Sequence, residues 1–121
     1  MTSIKDIKLT PDLLKGVYDM LCLVAPFKSW NLPDSDEMSF TVGRDPHLRG
    51  WCIYNEGKWR IGISSTTVAR LNLLIVTMMH EMIHVHEDNT AISRKDVMHS
   101  TAFLKWADQV CKIHNLDPHI F

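Results

Sequence analysis

A chain of 121 residues has the length of one domain and can bury a core without disulfide or metal staples. With 45% hydrophobic and 22% charged residues, five Gly and five Pro, it is not collagen-like, low-complexity or disordered. Thirteen basic against fourteen acidic side chains give a formal net charge of −1, so a nucleic acid or membrane would have to be held by a local patch. Cys22, Cys52 and Cys111 are an odd, scattered set with no CxxC pair, which excludes a zinc ribbon and a thioredoxin motif and fits a reducing compartment. The N-terminus lacks a secretory layout, and the longest apolar stretch, around Leu73–Met79, is far too short for a membrane span. The expectation is a cytoplasmic, non-secreted single domain over residues 1–121 with no membrane partner.

The first helix is expected from Thr10 to about Val24. Thr10 offers a capping hydroxyl, Pro11 suits the first helical position, and Asp12 sits near the positive end of the dipole. Leu13, Leu14, Val17, Met20, Leu21 and Val24 then recur at helical spacing, and Pro26 stops the run. Lys28 to Glu37 reads as loop. Ser39–Val42 alternates as a short strand, and Gly43 to Gly50 is loop again. Trp51–Tyr54 and Lys58–Ser64 flank Asn55-Glu56-Gly57 and read as a hairpin. Gly62 leaves one face of the second strand bare, which permits a close approach by a substrate or a packed helix. Ser64-Ser65-Thr66-Thr67 offers caps for a helix from about Thr66 to Glu87, whose stripe comprises Val68, Leu71, Ile75, Met78, Met79, Met82 and Ile83. Glu87 to Val97 is a polar connection. A last helix begins near Ser100 or Thr101, lines its core face with Ala102, Phe103, Trp106, Ala107, Val110 and Ile113, and stops at Asn115 before Pro118.

One motif stands above the rest: His80-Glu81-Met82-Ile83-His84. Residues four apart share a helix face, so His80 and His84 can present two imidazoles to one ion. Glu81 is rotated by about a hundred degrees, beside such an ion, where a carboxylate can deprotonate a water. That is the zinc-hydrolase arrangement, with one coordination position left open. A pair of histidines on a solvated surface is the competing reading, but two imidazoles and a carboxylate are costly to place near an apolar stripe without a partner.

Catalytic zinc usually takes three protein ligands. Glu87 stands where the longer HExxHxxGxxH string needs glycine, and Thr90 where it needs histidine, so that string is excluded. His99, just before the last helix, is the best third candidate. Asp88 lies too far along the same helix, and Asp88, Glu87 or Asp96 could instead orient a ligand imidazole. His86 points about 200° away from His84. His47, His114 and His119 have no partner at ligand spacing and read as surface or capping residues. For the oxyanion, Tyr54 and Arg60 are the nearest candidates.

A hairpin, then Ile61-Gly62-Ile63-Ser64, then a helix holding Thr77-Met78-Met79-His80-Glu81-Met82-Ile83-His84 resembles the SprT-like (Spartan-type) zinc metallopeptidases over roughly residues 40 to 112. That family's third ligand sits in a downstream His-Gly-x-x-Phe element. His99-Ser100-Thr101-Ala102-Phe103 matches at the histidine and the phenylalanine, with Ser100 replacing the glycine. The resemblance implies zinc on His80, His84 and His99, Glu81 as catalytic base, a protein or peptide substrate, and a minimal catalytic core without the Cys-rich segment or tails many relatives carry.

The family's association with DNA-crosslinked proteins directs attention to Gly43–Arg70. There Arg44, Arg49, Lys58, Arg60 and Arg70 outnumber Asp45 and Glu56, and with Trp51 and Trp59 they would suit single-stranded DNA. Tryptophans packed in a core are the competing reading. Two other functions use the central motif. An ImmA-type repressor-cleaving peptidase needs a downstream Glu-x-x-Ala, which Glu87, Thr90 and Ala91 do not supply. A metal-stabilised binding module without turnover would have no use for Glu81.

The expected architecture is α+β and zincin-like. A small three-stranded, mostly antiparallel sheet packs on the active-site helix, flanked by the first and last helices. Trp59–Ser64 is expected at the rim of the cleft, where an extended peptide would add by backbone pairing.

Overall fold

The computed structural model describes residues 8–87 and 101–121, and shows a small α+β fold of three helices and one mixed three-stranded sheet. Helix α1 spans Pro11–Leu21. Thr10 is extended and its hydroxyl accepts from the Leu13 N–H at 3.1 Å, the cap its sequence announces. Leu14, Val17, Tyr18 and Leu21 are buried, while Met20 and Val24 are exposed and the helix ends one turn earlier than expected. A turn from Phe27 to Ser29 follows. The Tyr18 hydroxyl donates to the Pro33 carbonyl at 2.6 Å and ties the long loop back to α1.

The sheet has strands β1 (Ser39–Gly43), β2 (Gly50–Asn55) and β3 (Lys58–Ser64), in the order β1-β3-β2. The β2–β3 hairpin is as expected, with Asn55 opposite Lys58 and Glu56 and Gly57 both at positive φ (53° and 81°). Two expectations fail. The sheet is mixed, because β1 pairs parallel to β3, Phe40 opposite Ile61 and Val42 opposite Ile63. β3 is therefore central with both edges paired, so no peptide can add to Trp59–Ser64. Alternation fixes which face a side chain takes but not which neighbour its strand pairs with.

What places β1 there is the loop from 44 to 49, which arches over the end of β3. The Ser64, Ser65, Thr66 and Thr67 hydroxyls do not cap the next helix. They donate to the carbonyls of Asp45 (2.6 Å), Gly43 (3.1 Å), Arg44 (3.2 Å) and Leu48 (2.8 Å), clamping that loop. Helix α2 accordingly starts later than expected, at Leu71, and runs to Glu87. Val68, buried, lies ahead of it, and Leu71 is exposed.

Trp59, Ile61 and Ile63 point to the helices and are almost wholly buried. Leu74, Met78, Met82 and Ile83 of α2 meet them, and α2 also touches α1 and helix α3 (Thr101–His114), which contributes Phe103 and Val110. Asn115, at φ 55°, ends α3 as expected. Among the described residues no helix is long and apolar enough to cross a membrane.

The bare face at Gly62 is covered by neither substrate nor helix. The indole of Trp51, directly opposite on β2, lies across Gly62 and reaches Gly43 on β1. A Cβ at Gly62 would overlap that ring. Gly62→Ala should therefore cost roughly 1–3 kcal/mol by overpacking. In a Trp51→Ala background most of that cost should vanish, which urea denaturation of the four proteins would read as strong non-additivity.

Candidate metal centre

Helix α2 is buried on most sides, so its polar residues are held in place by the core. His80 and His84 lie one turn apart with ring centroids 5.0 Å from each other. Phe103 of α3, wholly buried, packs on both, 5.0 Å from His80 and 4.4 Å from His84 with the latter pair stacked. Phe121 closes on His80 from the other side at 5.9 Å.

His84 has the orienting partner that sequence spacing allowed. Its Nδ1 is 3.0 Å from Glu87 Oε1, and both side chains are under a tenth exposed. A carboxylate only accepts, so Nδ1 carries the proton and the Nε2 lone pair is the one presented to an ion. Of the three acids considered for this task, Glu87 is the one observed in it; Asp88 and Asp96 lie outside the described residues, as does His99. Among the described residues no set of three His, Cys, Asp or Glu side chains is placed to hold a metal. The two helical imidazoles stand together, and a third donor would have to come from outside the described residues.

Glu81 is 4% exposed, and burial pushes its carboxyl up to about 8. It forms the floor of a cleft of about 320 Å³, beside Thr77 and His80. One wall is the clamped loop, from His47 to Gly50; the other carries His119 and Phe121. Gly50 is needed here for its lack of a side chain. A Cβ on it would stand 3.2 Å from Glu81 Oε2, 3.1 Å from Thr77 Cγ2 and 3.0 Å from the Gly62 carbonyl oxygen. Thr77 Oγ1 is buried one turn before Glu81 and makes no hydrogen bond among the described residues.

This donor set fits a divalent ion: two imidazoles on one face, one of them fixed in its tautomer by a buried carboxylate, and a second carboxylate alongside in low dielectric. Neither residue considered for the oxyanion lines the cleft. Arg60 lies on the outer face of β3, opposite Ile53, and Tyr54 packs on Trp59 with ring centroids 5.1 Å apart near the hairpin turn. His47 and His119 are exposed, as expected of surface residues, and both also line the cleft, as does Arg49. Spacing could not find them, because the loop and the C-terminal turn reach the cleft only through the tertiary fold. Thr77 alone had a signal, four residues before Glu81 on the same helix face. His86 does turn away, stacked on Trp30 at 4.1 Å and set edge-on to Trp106 at 4.7 Å.

The basic residues of 43–70 are divided. Lys58 and Arg60 belong to the outer sheet face with Trp51, Arg49 belongs to the cleft, and Trp59 is in the core. Compared with models of known protein families and with curated protein sequences, the chain matches none.

Proposed function

We propose that the protein is a zinc-dependent endopeptidase of the SprT-like type with a zincin-like catalytic core. The observation that carries this reading is the pairing of half-buried His80 with buried His84, the latter oriented by Glu87, beside a desolvated Glu81 on the floor of an open cleft. His80 and His84 would hold the ion, with His99 as third ligand. When bound, zinc supplies a Lewis acid that acidifies a water and polarises a carbonyl. Glu81 accepts the proton of the attacking water and later delivers it to the leaving amine. Burial keeps Glu81 protonated, and a neighbouring dication would offset this by favouring the charged carboxylate. Phe103 and the α2 core hold the imidazoles in position, so little reorganisation is needed as the reaction proceeds.

With β3 enclosed, β2 is the edge strand next to α2, and its first residue, Gly50, lies against Glu81. An extended peptide would pair there. A single-stranded DNA contact, as part of a DNA-associated substrate, would rest on Trp51 with Lys58 and Arg60 on the outer face. The test is hydrolysis of labelled, unfolded casein by the zinc-loaded protein, with and without a chelator and with and without an oligothymidylate. Cleavage lost on chelation supports the reading. A zinc-loaded protein that leaves casein intact in every condition supports the binding module instead.

A further inference from the structure

The cleft has a chemical bias that the peptidase reading does not require. Its floor holds Glu81, but among the described residues that line it the walls carry Arg49, His47 and His119 and no further acid. Arg49 is permanently charged and exposed, and its guanidinium has no ion-pair or hydrogen-bond partner among the described residues. Its backbone, by contrast, is fixed. The Arg49 carbonyl accepts from the Ser64 N–H at 2.8 Å, and the Leu48 carbonyl accepts from Thr67 Oγ1 at 2.8 Å. Asp45 Oδ1 takes the N–H groups of His47 (2.8 Å) and Leu48 (3.0 Å), so that carboxylate is engaged with the loop's own backbone. Behind His119 of the opposite wall, the Asp117 carboxylate lies 3.0 Å from its Nδ1.

We infer that Arg49 is a specificity-determining residue that selects peptides with an acidic side chain close to the scissile bond. Arg49 lines the cleft and stands immediately before Gly50, which lies against Glu81, so a peptide lying over Glu81 comes within reach of its long side chain. The loop's backbone is already ordered, and a permanently charged, planar guanidinium offers a carboxylate two parallel N–H donors where a lysine offers a point charge. The inference rests on the peptidase reading for its substrate, but the charge recognition can be measured apart from turnover.

Two fluorogenic peptides, identical except for Glu or Gln beside the central bond, are compared on wild type and Arg49→Glu, and their binding is followed in parallel by fluorescence anisotropy. The expected result is about a tenfold preference for the Glu peptide in both kcat/KM and affinity. Arg49→Glu should lose or invert that preference while keeping its zinc content. An unchanged preference in Arg49→Glu, or none in wild type, overturns the inference. If neither peptide is cleaved, the peptidase reading fails and anisotropy decides this point alone: Arg49-dependent binding of the Glu peptide sustains it, and equal binding of both peptides overturns it. Loss of oligothymidylate binding in Arg49→Glu with the peptide preference intact would assign the residue to nucleic acid instead, and likewise overturns it.

Discussion

Glu81→Gln should keep the zinc and the fold while losing about 10²- to 10⁴-fold in peptide hydrolysis, the usual contribution of a general base. The substitution preserves shape and removes only the capacity to carry a proton. The same change should stabilise the metal-free protein at neutral pH. In the unfolded chain the carboxyl ionises above its ordinary 4.5, whereas in the fold burial holds it protonated up to about 8. Between those values the folded state keeps a proton that the unfolded state has released. Stability contributed by the protonated form is therefore full below pH 4.5, falls by about 1.4 kcal/mol per pH unit above it, and levels off past about pH 8. Gln has no such slope. Thermal melts of the chelated proteins should show Glu81→Gln gaining on wild type by several degrees between pH 5 and 8, and little difference at pH 4. Parallel curves across that range would mean that Glu81 is solvated. An active Glu81→Gln enzyme would remove the proposed mechanism even with the metal site intact.

The second large effect is expected at Phe103. The ring is wholly buried and packs against both His80 and His84, so it belongs to the core and to the candidate metal centre at once. Phe103→Ala should cost about 3–5 kcal/mol in urea denaturation, through lost burial and the cavity left behind. It should also loosen the imidazole pair, so zinc affinity should fall although no ligand is changed. Trp106→Ala, at a partly buried position on the same helix that packs on His86 instead, is the control expected to leave zinc affinity alone. A Phe103→Ala protein with wild-type stability and zinc affinity would contradict the packing of α3 on α2.

Much of this fold is legible in the sequence, and the failures have physical reasons. The Thr10 cap, the Glu56-Gly57 turn and the Asn115 stop are local, set by residues a few positions apart, and all three form. The His80–His84 pairing and Glu87 behind it follow from helical periodicity alone. Strand order does not, because Phe40 and Val42 alternate identically whether β1 pairs with β2 or with β3. The decision falls to hydrogen bonds between Ser64–Thr67 and the 44–49 loop, some twenty residues apart in sequence. Those hydroxyls looked like helix caps because Ser and Thr serve both purposes. The cleft walls escaped for the same reason: Arg49, His47 and His119 converge on Glu81 only once the loop is clamped and the C-terminal turn is folded back.

Whether His80 and His84 bind a metal ion is read from the zinc content per chain. The ion is measured by elemental mass spectrometry on protein dialysed against a weak chelator, for wild type, His80→Ala, His84→Ala and His99→Ala. The expected result is about one zinc per wild-type chain, none in either α2 variant and a sharply weakened site in His99→Ala. Zinc retained in full by His80→Ala and His84→Ala, or absent from wild type, would contradict it.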